Sequence, residues 1–140
     1  MNITFDPCRP LVLVPAADAT PDELASLDDA AAMWGQVGLG LAGRAEVAGA
    51  QHLPVRFEKA AAAFHGIYLD ETGELVVNRA MTDRKQRAIT IAHELGHAYG
   101  LWHVAAAVRK SVMNKGNLAT VPLHSDAAAI GAYWGACPQP

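Results

Sequence analysis

No stretch of this chain strings together the roughly eighteen apolar residues that a membrane-spanning helix requires, so no transmembrane span is expected. Basic excess is missing as well. Eleven Lys and Arg stand against fourteen Asp and Glu, a net charge of −3. With a pI near 6.0, this leaves no electrostatic footprint for nucleic acid or an anionic membrane surface. Charged residues reach only 18 % and apolar residues 51 %, which excludes a disordered chain and fits a globular one. At 140 residues the expectation is one domain, 1–140, acting as a monomer.

Cysteine is scarce too. Cys8 and Cys137 are the whole supply, and they lie near opposite ends. Chain termini often sit close together in a folded domain, so a disulfide is one reading and two free buried thiols the other. A bridge would favour a secreted or extracytoplasmic location, which otherwise stays open. The apolar run of residues 11–17 is short, follows Cys8-Arg9-Pro10 and lacks a small-residue cleavage site, so it reads as a first strand rather than a leader.

Beyond it, Thr20-Pro21-Asp22-Glu23 is a helix start: Thr20 can cap, Pro21 suits the first turn, and Glu23 completes a capping box. Leu24, Leu27, Ala31 and Trp34 mark its buried face, and Gly35 and Gly38 end it. Short apolar segments at 39–47, 53–57, 66–69 and 75–77 read as strands, the last two joined by the turn Asp70-Glu71-Thr72-Gly73. A second helix is expected from the cap Asp83, with Gln86 at its third position, through Ala88, Ile89, Ala92 and Leu95 to Tyr99.

That second helix carries His93-Glu94-Leu95-Gly96-His97-Ala98-Tyr99-Gly100-Leu101-Trp102-His103, an HExxHxxGxxH string. Residues i and i+4 share one helix face, so His93 and His97 can offer imidazole nitrogens to one metal ion. Gly100 accepts the left-handed conformation that ends a helix, which lets the chain turn back and bring in His103. Three neutral imidazoles would leave a fourth position on Zn²⁺ for water, whose pKa falls from 15.7 to about 7 there, and Glu94 beside the ion can take the proton. An Ala-rich helix with ordinary histidines would leave the Gly100 and His103 spacing unexplained. His52, His65 and His124 lie outside the string and read as surface or hydrogen-bonded histidines.

At these residues the chain resembles the metzincin zinc metallopeptidases, and in Ser111-Val112-Met113-Asn114 it has, ten residues beyond His103, the place and flanks of that clan's Met-turn. The segment from Asp126 to Gly135, with Ile130 and Tyr133, resembles the last helix of the matrixin branch, so a small matrixin-like member is implied. The resemblance implies an α+β, metzincin-like zincin domain: a twisted mixed sheet with a backing helix and the active-site helix in an upper part (about 1–100), and the Met-turn and final helix in a smaller lower part (about 101–140).

The implied activity is that of an endopeptidase using one catalytic Zn²⁺, with His93, His97 and His103 as metal ligands, Glu94 as general base and acid, and Met113 as the structural Met-turn. The implied substrate is a peptide or protein bound extended along an edge strand, residues 65–69, with selectivity mainly from a pocket walled by residues 114–122. A matrixin-like block of the metal by Cys8 is a third fate for that thiol. Lys115 stands where some metzincins have a metal-contacting Tyr, so no such role is assigned here; the segment 59–75 is short and lacks a cluster of Asp and Gly ligands, so no structural zinc or calcium is expected. Two other readings stay open. One is a zinc-holding peptide-binding module with little or no catalysis; the other is a zinc hydrolase of a non-peptide amide.

Overall fold

Alternation along β2 (Gln51–Glu58) builds the two faces of the sheet: Leu53, Val55 and Phe57 are buried, while Pro54 and Glu58 between and beyond them are exposed. This is a computed structural model, and it describes residues 2–41 and 43–138. β1 (Leu11–Pro15) pairs parallel with β2, β2 pairs parallel with β4 (Glu74–Asn78), and β3 (Gly66–Leu69) closes the sheet antiparallel to β4. The order β1-β2-β4-β3 leaves β3 at an edge. Register puts Leu13 beside Leu53, Val55 beside Leu75, and Tyr68 beside Leu75, so one continuous apolar face forms.

Helices cover that face. α1 (Pro21–Gly35) starts as its sequence dictates: the Thr20 hydroxyl accepts the Glu23 N–H at 3.1 Å, and the Glu23 carboxylate accepts the Thr20 N–H at 2.9 Å. Its buried residues are Glu23, Ser26, Leu27, Ala30 and Trp34, whereas Leu24 and Ala31, expected inside, are only half-buried. The reason is a second neighbour. α1 lies against α2 (Arg84–Ala98) as well as the sheet: Ser26 Oγ donates to the Arg84 carbonyl and Trp34 Nε1 to the Ala92 carbonyl at 3.0 Å. Small residues therefore face the helix contact, and Glu23 is held by Arg79.

The strand expected over 39–47 does not form. Of its described residues, Gly43 makes a single parallel bridge to Val12 and takes a φ of +70° that interrupts an extended run. A third helix, α3 (His124–Trp134), packs Ile130 into the core. None of the described helices is long and apolar enough to cross a membrane.

Cys8 and Cys137 form a disulfide with a Cα–Cα distance of 5.3 Å, so neither is free and Cys8 does not reach the histidines. The bond ties the N-terminal segment to the tail of α3 across 129 residues. Because so long a loop is closed, reduction is expected to cost about 4 kcal/mol. The readout is a fall in Tm of roughly 10 °C by circular dichroism with and without reductant. An unchanged Tm would mean that the tether adds nothing.

Candidate metal centre

α2 begins where Asp83 accepts the Gln86 N–H at 2.8 Å, and its last two turns place His93, Glu94 and His97 along one side. It stops at Gly100, whose φ of +100° turns the chain so that Leu101 N–H reaches the Gly96 carbonyl. His103 is thereby carried back over the helix. Its Nε2 lies 3.3 Å from His93 Nε2 and 3.3 Å from His97 Nε2.

The outer nitrogens settle what those inner nitrogens are. His93 Nδ1 sits 2.7 Å from the Val112 carbonyl and His97 Nδ1 2.7 Å from the Leu101 carbonyl. A carbonyl only accepts, so each Nδ1 carries the proton and each Nε2 presents a lone pair. Those two nitrogens cannot hydrogen-bond to one another; His103 Nε2 could donate to one of them at a time, whereas a cation among the three would satisfy all three lone pairs at once. Metal–nitrogen bonds of about 2.0–2.1 Å at tetrahedral angles put ligand atoms about 3.3 Å apart, which is how far His103 Nε2 lies from each of the other two. The donor set therefore fits zinc. Among the described residues these three histidines are the one group able to hold a metal ion.

Burial pushes the His93 pKa down to about 4, against the pull of the Val112 carbonyl, and His97 moves the same way for the same reason. Both stay neutral and ready to ligate at ordinary pH.

Glu94 lies beside the triad, with Oε2 3.9 Å from His93 Nε2 and Oε1 accepting the backbone N–H of Tyr68 at 3.0 Å. Burial raises its pKa to about 8, the Tyr68 N–H opposing. A cation held by the histidines would draw it back down. A Cβ on Gly66 would come within 3.0 Å of the Val76 carbonyl oxygen and 3.1 Å of Thr90, so glycine there lets β3 lie close against β4 and α2.

Met113 lies fully buried beneath the helix turn between His93 and His97. A Cβ on Gly96 would come within 2.3 Å of its sulfur, so glycine at that position admits it. The segment is pinned from below by Asp126. One carboxylate oxygen accepts Ser111 Oγ (2.5 Å) and Arg109 Nη1 (2.8 Å), and the other accepts the N–H groups of Val112 (3.1 Å) and Leu123 (3.0 Å). Ser111 Oγ in turn accepts the Met113 N–H. Burial raises the Asp126 pKa, but these donors outweigh it and the net shift is downward.

Several of these parts are silent in the sequence pattern. The Tyr68 N–H and the Val112 and Leu101 carbonyls are backbone groups and leave no residue signature. Asp126 did have one: an acid at the third position of a helix whose cap, Leu123, has no polar side chain. Of the outlying histidines, His52 pairs with Glu46 at 2.7 Å, His124 begins α3, and His65 lines a small cavity next to the triad together with Lys115 and Asn117. Of residues 114–122, Lys115, Gly116 and Asn117 line this cavity, together with residues 63–66.

No protein-family model matches this chain, and no curated protein matches its sequence. Solved structures do match it in fold. A zinc-dependent peptidase from Methanocorpusculum labreanum superposes with a TM-score of 0.54 at 13 % identity, over 86 % of this chain and 99 % of that one. High choriolytic enzyme 1, a hatching-enzyme zinc protease from the medaka Oryzias latipes, gives 0.56 at 12 % identity, over 96 % and 94 %. The three converging imidazoles are thus carried on a mixed α/β fold similar to that of solved zinc peptidases.

Proposed function

We propose that this protein is a zinc-dependent endopeptidase of the metzincin type, a small member resembling the matrixin branch. The observation that carries the reading is the convergence of three imidazoles, His103 Nε2 lying 3.3 Å from both His93 Nε2 and His97 Nε2, with the buried Glu94 carboxylate beside them. These histidines would hold one Zn²⁺, and Met113, seated under Gly96, would be the Met-turn. When bound, the ion supplies a lowered water pKa and polarises the scissile carbonyl.

The chain's own carboxylate does the proton work. Glu94 takes a proton from the attacking water as its oxygen joins the carbonyl carbon, and gives that proton to the leaving nitrogen as the C–N bond breaks. The Tyr68 N–H holds the carboxylate in place meanwhile. The substrate lies extended along the open edge of β3, where main-chain hydrogen bonds give affinity regardless of sequence. The single domain works as a monomer, and its disulfide suits it to an oxidising compartment outside the cytosol.

The test is to load the protein with zinc, measure metal content, and incubate it with a diverse peptide library read by mass spectrometry, beside a chelated sample. Cleavage that chelation removes and zinc restores is the expected result. One equivalent of bound zinc without cleavage would leave a binding module instead.

A further inference from the structure

Four of the seven large apolar side chains that stay exposed among the described residues, Ile3, Ile67, Trp102 and Tyr133, stand in one cavity beside the triad; Val14, Val47 and Val108 are the other three. Trp102 is 83 % and Tyr133 60 % exposed, a large apolar area to leave in water. The cavity measures about 780 Å³ and shares Glu94, His97 and His103 with the metal centre, whereas the cavity on the Lys115 side measures about 260 Å³.

Two of its walls, at Ile3 and Tyr133, are anchored before any ligand arrives. Ile3 is tied by its N–H to the Asp70 carbonyl (2.6 Å) and by its own carbonyl to the Tyr68 hydroxyl (2.5 Å). The Tyr133 ring lies directly over Gly100, and the neighbouring Trp134 anchors α3 through a 2.7 Å bond from Nε1 to the Tyr99 carbonyl. Anchored apolar walls such as these lower the entropic cost of binding.

The direction of β3 orients a bound chain. β3 leaves the small cavity at Gly66 and runs into the large one toward Asp70. A peptide adding to this edge in the stronger, antiparallel sense runs the other way, from large cavity to small. We propose that the large cavity is the main specificity subsite, taking an aromatic or large aliphatic side chain from the residues just N-terminal to the scissile bond. This rests on the peptidase reading, and it moves selectivity away from the 114–122 side. Trp102 and Ile67 are its specificity-determining residues.

The experiment uses the zinc-loaded full chain, Trp102→Ala and Ile67→Thr. Matched fluorescent peptides carry Phe or Ala at each of about three positions on either side of the cleaved bond, the span of β3. For each pair, kcat/KM is measured, and Kd by fluorescence anisotropy on chelated and zinc-loaded protein. The expected result is a Phe-over-Ala ratio of about tenfold, about 1.4 kcal/mol, on the N-terminal side only, falling toward about twofold in Trp102→Ala. Preference confined to the C-terminal side, or a ratio unchanged in both variants, overturns the proposal while the peptidase stands. If nothing is cleaved, the peptidase reading fails and anisotropy decides the subsite. Tighter Phe binding that Trp102→Ala removes sustains it, and equal Kd values overturn it.

Discussion

Glu94→Gln is expected to lower kcat for peptide cleavage by about a thousandfold while the protein still binds one equivalent of zinc. The two halves of that result come from different atoms. Zinc would be held by three imidazole nitrogens, and the Glu94 carboxylate stands 3.9 Å from the nearest of them, His93 Nε2. An amide of the same shape keeps an oxygen to accept the Tyr68 N–H, so the fold and the histidine cluster should persist. What it cannot do is accept and return a proton at Oε2. The measurement pairs single-peptide kinetics with elemental analysis of zinc. If the variant cleaves at the parent rate, Glu94 is not the base; if it loses zinc, the carboxylate helps hold the ion.

Asp126→Asn should be the most damaging change away from the histidines. Its carboxylate gathers four donors at a site with no solvent exposure, and an amide would aim two hydrogens at groups that themselves donate. Breaking such a buried charged cluster costs about 3 kcal/mol, a fall in Tm of roughly 10 °C.

The consequence should reach the metal. Asp126 fixes the Val112 N–H, and the Val112 carbonyl fixes His93 Nδ1, so loosening the first link frees the imidazole. Zinc affinity should drop roughly 10- to 100-fold, read by competition with a coloured chelator. The acid is also a pH handle. Its folded pKa lies below the unfolded value near 3.8, so the stability it contributes is present above that value and lost as pH falls through the lower one. Asp126→Asn should therefore lack that part of the acid-unfolding limb. A variant with parent Tm, zinc affinity and acid profile would show that the cluster holds nothing.

Much of this molecule was legible from local pattern. The caps at Thr20 and Asp83, the turn at Asp70–Gly73 and the stop at Gly100 are each set by a few neighbouring residues, and the structure places them where those residues dictate. The spacing of His93, His97 and His103 is local too, because a helix and one glycine turn fix all three within eleven residues. Locality failed where glycine interrupted an apolar run, as at 39–47, and where a helix met two surfaces, as α1 does.

What the sequence by itself determined is thus the set of groups that can hold a metal and move a proton, since that chemistry follows from residue type and short spacing. Only the tertiary structure decided how they are aimed. The Tyr68 N–H reaches Glu94 across 26 residues, the Val112 carbonyl reaches His93 across 19, and Cys8 finds Cys137 across 129. Such pairings depend on how strands and helices pack, and two of the three use backbone groups that every residue carries. The apolar cavity beside the triad has the same origin: Ile3, Ile67, Trp102 and Tyr133 belong to four separate segments, and only packing makes them one surface.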